Sequence, residues 1–167
     1  VVTEDKGIAD IVKSKNIKVI IRPKKLSKFG VPIEPNVLFV LDKLREDEGF
    51  SPDIVGVLFY TSPLVSHENM KEAINTLIIY DSDSVIGVKD NDRLHYYHGE
   101  FGLSPLFKKR AIKTEREHLY EESGAFIFSK IDSITPKSLL GKKIGHVILS
   151  DNECIDIEDK FTYWLVE

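Results

Sequence analysis

Two carboxylates near the end of the chain have a spacing that suits metal binding. Asp156 and Glu158 alternate with Ile155 and Ile157. In an extended segment, residues two apart point the same way, so both carboxylates would converge while both isoleucines face a core. Such a pair suits Mg²⁺, which usually takes one or two protein oxygens together with phosphate oxygens. The same residues also allow another interpretation, in which Asp156 or Glu158 caps a helix over 161–166.

A second acidic pair, Asp81 and Asp83, resembles the Asp-x-Asp sequence of glycosyltransferases. It lies between a predicted helix and a predicted strand, at the end of the sheet away from the expected site, and a solvated turn is the preferred interpretation.

No two of the five histidines have zinc-ligand spacing, and Cys154 has no cysteine companion. A single cysteine cannot form an internal disulfide, which favours a reducing compartment and predicts a cytoplasmic protein. The sequence contains no glycine-rich phosphate loop.

The elements that must position these side chains alternate along the chain. Apolar, β-branched runs that predict buried strands cover 17–21, 54–60, 84–88, 125–128 and 144–149. Apolar residues at helical spacing predict helices over 8–12, 37–44 and 70–77, with a last one over 161–166. This order predicts an α/β fold, a three-layer α/β/α sandwich with a mostly parallel sheet, in one domain spanning 1–167.

In open α/β sheets, ligands bind beyond the carboxyl ends of the strands. The residues that follow the predicted strands are therefore the first candidates for a site. They include Arg22, Thr61, Ser62, Lys89, Asp90 and Asp156.

The segment 91–119 interrupts the alternation of strands and helices. It is rich in aromatic and basic residues, and a connection of this length inside one domain is usually functional. We interpret it as an inserted arm that reaches over the active site or into a partner subunit. A solvated surface excursion is the alternative.

Composition narrows the function classes. The 167 residues carry 23 Lys and Arg against 27 Asp and Glu, a net charge of −4, with 42% hydrophobic residues. Such values are typical of a globular domain and exclude collagen-like and disordered chains. The absence of a long basic run argues against nucleic-acid binding. The apolar runs are too short to cross a membrane.

Met70 is the only methionine, and the apolar start at Val1 predicts a chain that begins inside a strand of a longer protein.

Six short strings, in one order, resemble the acylneuraminate cytidylyltransferase (CMP–sialic acid synthetase) family. The family's strings are V-S-T-D with I-A-E-I-A, R-P-x-E-L, Q-P-T-S-P-L-R, D-S-V-V-S-V, N-G-A-I-Y-I-F and V-D-I-D. Their counterparts here lie at 1–11, 22–26, 59–65, 83–88, 123–128 and 155–158. The match spans nearly the whole chain.

The resemblance implies a fold like that of the nucleotide-diphospho-sugar transferases and an Mg²⁺-dependent enzyme. It would transfer CMP from CTP to an acidic nonulosonic sugar, releasing pyrophosphate, and would form a homodimer through the arm. Asp156 would be catalytic and would hold the metal together with Glu158. The nucleotide and sugar would contact Arg22, Thr61, Ser62, Ser123 and Arg116, with Lys109 near the sugar carboxylate.

The sequence also departs from the family. Phe59 and Val65 stand where the family has glutamine and arginine, and Ser123 replaces an asparagine. The family's first strand and its glycine- and basic-rich nucleotide loop would precede Val1, so residues 1–167 alone are expected to be inactive. Loss of polar contacts weakens discrimination between substrates. A degenerate binding or assembly domain is therefore the alternative, together with a related glycosyltransferase that uses Asp81 and Asp83.

Overall fold

A four-stranded mixed sheet forms the centre of the fold. The computed structural model describes all residues from 1 to 167. The spatial order of the strands is β3 (Ile54–Leu58), β7 (Leu119–Lys130), β4 (Ser84–Asn91) and β8 (Ile144–Ile148). β7 runs antiparallel to both of its neighbours, and only β4 and β8 pair in parallel.

The expectation of a mostly parallel sheet is not confirmed: β3, β4 and β8 run in the same direction, but β7 lies between β3 and β4 and makes two of the three pairings antiparallel. The physical reason is the route of the chain after β4. It passes through the arm, which contains the hairpin β5 (Tyr96–Gly99) and β6 (Gly102–Pro105), and returns directly into β7. No crossover helix intervenes, so the returning strand must run against β4.

Two further strands form a separate small sheet. β1 (Val2–Thr3) and β2 (Ile20–Ile21) pair in parallel, with Val2 opposite Ile20. The predicted strand over 17–21 is reduced to its last two residues. Both β1–β2 and the larger sheet leave edge strands unpaired, and no hydrogen-bonded ladder joins the two sheets.

The helices for which the sequence offers a capping residue begin where that residue predicts, with one exception. α1 (Lys6–Ser14) starts after Asp5, whose carboxylate accepts a hydrogen bond from the Ile8 N–H at 2.9 Å. α3 (His67–Ile79) starts after Ser66, which forms a capping box with Asn69. The exception is α4 (Lys160–Val166), which is capped by Asp159 rather than by Asp156 or Glu158. The capping interpretation of the latter two carboxylates is thus wrong.

One helix packs on each face of the larger sheet. Ala73 and Leu77 of α3 pack with Val85, Phe126 and Val147. On the other face, α2 (Glu34–Glu48) packs against the sheet through a second cluster of apolar residues, which comprises Val37, Leu41, Val55, Val57, Ile127 and Leu139. Phe126, Ile127 and Phe128 of β7 alternate between the two clusters, as do Ile54 and Val55 of β3, in keeping with the period of two in a strand.

The chain exposes more surface than its mass predicts. The accessible area is 12047 Å². The area law for folded monomers gives roughly 8,400 Å² at this mass. Large apolar side chains such as Phe29, Tyr60 and Phe101 are almost fully exposed. No helix combines the length and the apolar character that a membrane span requires.

Candidate functional site

Two buried oxygens without partners mark the carboxyl edge of the larger sheet. Ser62 is only 5% exposed, and its Oγ has no hydrogen-bond partner. Asp156 is half-buried, and its Oδ1 is likewise buried and unpaired. The two segments are tied together, because the Ile157 N–H donates to the Thr61 carbonyl at 2.8 Å. Unpaired buried polar atoms are costly, and in folded proteins they call for a reason such as a bound ligand or ion.

The local sequence explains why Thr61 and Ser62 occupy this edge. Phe59 extends the pairing of β3 by donating its N–H to the Ala125 carbonyl at 3.0 Å, and Ser62 then closes a turn by donating to the Phe59 carbonyl at 3.2 Å. The chain next enters the capping box of α3. Both hydroxyl residues therefore lie in a strand-to-helix connection, the kind of position where α/β folds bind ligands.

The two predicted metal ligands differ in their environments. Asp156 is half-buried, whereas Glu158 is exposed. The Glu158 N–H donates to Thr162 Oγ1 at 3.1 Å, which places this residue at the start of α4. Nowhere do three or more His, Cys, Asp or Glu side chains group closely enough to hold a metal ion. A cation at this edge would thus depend on Asp156 with Glu158 and on ligands from a substrate.

Arg22 lies at the end of β2 and is engaged by two side chains. Its Nε donates to Glu4 at 2.7 Å and its Nη1 to Asn36 at 3.1 Å. The hydrogen bond from Arg22 lowers the pKa of Glu4 below its ordinary value of 4.5. Asn36, which is buried, also donates to the Leu26 carbonyl at 3.1 Å. This network joins β1, β2 and α2, and only Nη2 of the guanidinium remains without a protein partner.

Ser123 is built into a bulge between β4 and β7. Its hydroxyl donates to the Gly87 carbonyl at 2.9 Å, and the register shifts at this point. A Cβ at position 87 would lie 2.8 Å from Ser123 Oγ and 2.9 Å from Leu149 Cδ1, so any other residue there would force these side chains to shift. Gly124 adopts a φ of 69°, a left-handed conformation that suits glycine. The serine thus has a structural role, and its predicted contact with nucleotide stays a prediction.

Arg116 lies in the arm rather than in the connection that carries Ser62. Its guanidinium donates to the backbone carbonyls of Asp92 and Ala111 at 2.7 and 3.2 Å. These bonds brace the arm near the entry to β7. The predicted contact between Arg116 and the sugar remains untested.

An ion pair at the carboxyl ends of β4 and β8 was missed by the sequence analysis. Lys89 lies 2.8 Å from Asp151, and the hydrogen bond between them lowers the pKa of Asp151 and raises that of Lys89. Burial raises the pKa of the nearby Cys154 thiol. The position of Lys89 directly after a predicted strand was a signal that pointed to this residue. Its partner was not predictable, because it depends on β8 pairing with β4.

The second acidic pair lies in a structural turn, as the preferred interpretation predicted. Asp83 accepts hydrogen bonds from the N–H groups of Lys142 and Lys143 at 2.8 and 2.9 Å. Asp81 is paired with Lys130, which lowers the pKa of the aspartate. Both carboxylates lie at the amino end of β4. Oδ1 of Asp81 is committed to Lys130 and Oδ2 of Asp83 to the two N–H groups, so this pair has a structural role and the geometry does not favour the glycosyltransferase alternative.

Comparison with known proteins bears on the fold. No model of a known protein family matches the chain, and no curated protein matches it either. The crystal structure of 4-diphosphocytidyl-2C-methyl-D-erythritol synthase from Anaerococcus prevotii is similar, with a TM-score of 0.64 over 99% of this chain and 78% of that chain. The two sequences are 14% identical. This similarity concerns the fold and does not bear on the resemblance to the sialic acid synthetase family. The chain has an α/β fold with a mixed sheet, similar to the fold of this synthase.

Proposed function

We propose that this protein is a sugar nucleotidyltransferase that transfers CMP from CTP to an acidic sugar and releases pyrophosphate. The observation that carries the proposal is the pair of unpartnered oxygens on Ser62 and Asp156. They lie at the edge of the sheet where α/β folds bind ligands. The fold similarity to a cytidylyltransferase and the six ordered strings support the same reaction class.

The proposed reaction is an in-line displacement at phosphorus. A sugar hydroxyl attacks the α-phosphate of CTP, a new oxygen–phosphorus bond forms, and the bond to the β-phosphate oxygen breaks as pyrophosphate leaves. The hydroxyl proton passes to a base or to water. In this proposal Ser62 donates its hydroxyl hydrogen to a phosphate oxygen. Asp156 supplies a carboxylate at the triphosphate, and Arg22 offers its unpaired Nη2 to the nucleotide.

Mg²⁺ is the metal that this site would hold. A hard cation prefers carboxylate oxygens, and the buried, unpaired Oδ1 of Asp156 fits that preference. Asp156 and Glu158 would be its protein ligands. When bound, the ion supplies positive charge against the triphosphate and the leaving pyrophosphate.

We further propose that the arm 91–119 contacts a second copy of the chain in a homodimer. The exposed area supports this, because 12047 Å² exceeds the area law by roughly 3,600 Å². A second copy would cover part of that excess.

The test is pyrophosphate release by the full-length protein. CTP and the other three ribonucleoside triphosphates would each be offered with Mg²⁺ and a panel of nonulosonic acids. We expect release with CTP and at least one acidic sugar, and none when the sugar is omitted. Release with another nucleotide only would contradict the cytidylyl assignment. An absence of turnover with every pair would contradict the enzyme itself.

A binding or assembly domain of the same fold is the second candidate. Phe59 and Val65 replace polar residues of the family that the sequence resembles. The Ser123 hydroxyl, and Nε and Nη1 of Arg22, are already used in structural hydrogen bonds. This candidate predicts that the full-length protein dimerises but shows no Mg²⁺-dependent binding of CTP in calorimetry. Mg²⁺-dependent binding of CTP would exclude it.

A further inference from the structure

The arm contains a small, partly open cavity with a volume of about 210 Å³. Typical small-molecule sites measure roughly 300–1,000 Å³, so a whole nucleotide would not fit. The charged side chains of its lining are Arg93, Lys108, Lys109, Arg116, Glu115 and Glu117. Four cations against two acids leave two positive charges in excess, in a chain whose net charge is −4.

Arg116 is positioned in this cavity before any ligand arrives. Nη1 and Nε are held by the Asp92 and Ala111 carbonyls, both neutral oxygens. Nη2 has no hydrogen-bond partner in the protein. The neighbouring Asp92 carboxylate is paired with Lys113, whose hydrogen bond lowers the pKa of Asp92. A guanidinium held by two bonds to the backbone loses little freedom when its remaining donors bind an oxyanion.

The other cationic side chains that line the cavity have a weak ion-pair partner or none. Lys108 lies 3.8 Å from Glu117 with both side chains largely exposed. Such a pair contributes little. Arg93 and Lys109 form no ion pair with any acidic residue. The positive charge of the cavity is therefore available to a ligand.

His95 adds a second, independent observation. Its backbone carbonyl accepts a hydrogen bond from the Leu106 N–H at 2.9 Å, which fixes the residue across the cavity. Its ring Nε2 is buried and has no hydrogen-bond partner. An unpaired ring nitrogen in such a place is costly. A turn of the imidazole toward an oxyanion would give this nitrogen a partner.

We propose that the cavity in the arm binds a phosphoryl group, either as inorganic phosphate or as the head of a small phosphate monoester. A phosphate dianion matches the two excess positive charges, whereas a carboxylate would leave one unmatched. Its oxygens accept from the planar fork of Arg116 and from the ammonium groups around it. The volume admits the phosphoryl group with a body of a few atoms. This proposal does not depend on the nucleotidyltransferase assignment.

The test is an NMR titration of the full-length, ¹⁵N-labelled protein at constant ionic strength, with inorganic phosphate, glycerol 3-phosphate and acetate as probes. Phosphate is expected to shift amide signals of residues 93–95 and 106–117 and the ring signals of His95, with saturation. Lys109→Gln is expected to weaken the affinity about tenfold, in line with the loss of one charge-assisted hydrogen bond. Lys137→Gln removes the same charge from an exposed site outside the arm and serves as the matched control.

Arg116→Gln also removes the two backbone bonds that brace the arm, so Arg93→Gln provides a second variant that leaves those bonds intact. Tighter binding of glycerol 3-phosphate than of inorganic phosphate would identify the monoester as the ligand class, and the reverse order would identify free phosphate. Equal shifts with acetate would overturn the phosphoryl assignment. Shifts spread over lysines throughout the surface, or the same affinity in the Lys109 and Lys137 variants, would overturn the site itself.

Discussion

The chain contains two acidic pairs with the same spacing at opposite ends of one sheet. Asp81 and Asp83 lie at the amino end of β4, where one oxygen of Asp81 pairs with Lys130 and one oxygen of Asp83 accepts from two backbone N–H groups. Asp156 and Glu158 follow β8 at the carboxyl edge, where a buried oxygen of Asp156 has no partner. Spacing alone therefore does not distinguish a turn from a candidate metal site. The partners that the fold supplies do.

The serines near the two pairs repeat the contrast. Ser129, near the amino edge, is 2% exposed and donates to the Leu139 carbonyl at 2.7 Å. Ser62, at the carboxyl edge, is 5% exposed, and its hydroxyl makes no hydrogen bond. The hydroxyl of Ser129 thus stabilises the fold, whereas the hydroxyl of Ser62 is left available. Proteins often retain such unpaired groups where they bind a ligand.

The largest expected effect concerns activity. Asp156→Asn in the full-length protein should lower the rate of pyrophosphate release at least about 100-fold, the scale of losing one electrostatic contact to a transition state. Asp81→Asn, the same change at the other edge, should leave the rate within about twofold, because its carboxylate only pairs with Lys130. Steady-state assays of both variants measure the difference. Equal losses would remove the distinction between the edges.

The free energy of unfolding should show the opposite order, with the larger loss for the pair at the amino end of β4. Asp83→Ala removes the acceptor of two backbone N–H groups and should lower the free energy of unfolding by about 2 kcal/mol. Asp156→Ala removes a carboxylate with an unpaired buried oxygen, and should change it by less than about 0.5 kcal/mol. Urea unfolding monitored by circular dichroism compares the two. A larger loss for Asp156→Ala would show that this residue is structural.

Substitutions of Ser129 and Ser62 test the same comparison between the two edges, with a smaller expected change in the free energy of unfolding. Ser129→Ala should cost about 1 kcal/mol because it leaves the Leu139 carbonyl unpaired. Ser62→Ala, at similar burial, removes a hydroxyl that has no partner and should leave the free energy of unfolding unchanged or slightly higher. The same urea titration measures both. A matching loss in the two variants would mean that Ser62 has a partner in solution.

The smallest effect is a pH dependence at the amino edge. Lys130 lowers the pKa of Asp81 below its ordinary 3.8, so folding favours the ionised carboxylate. Its contribution is present above pH 3.8 and is lost as the pH falls through the lower folded value. Asp81→Asn should therefore make stability fall less steeply below pH 3.8. Unfolding midpoints measured from pH 5 to pH 2 test this; superimposable curves would contradict it.

Much of the local structure could be predicted from amino-acid order. The caps at Asp5 and Ser66 marked the starts of α1 and α3, and the apolar run at 144–149 marked β8. These features depend on neighbours only a few residues apart. The wrong cap for α4 shows the limit, since three acidic residues lie together and backbone geometry selects Asp159.

The pairing of the sheet could not be predicted in the same way. Continuous apolar runs predict burial on both faces but not strand direction, so the antiparallel course of β7 was missed. The network of Glu4, Arg22 and Asn36 was missed for a similar reason. Its members are 14 and 18 residues apart and meet only when β2 packs beside α2.

Amino-acid order specified the element types and the residue classes that follow each strand, because periodicity and capping are local properties. Only the packed fold decided which polar groups find partners. The same Asp-x-acid spacing became a satisfied turn where Lys142 and Lys143 bring their N–H groups. At the opposite edge, where the Ile157 N–H is bonded to the Thr61 carbonyl, the same spacing left a buried oxygen of Asp156 without a partner. Hydrogen bonds form between groups brought close in space, and that proximity arises only when distant segments pack together.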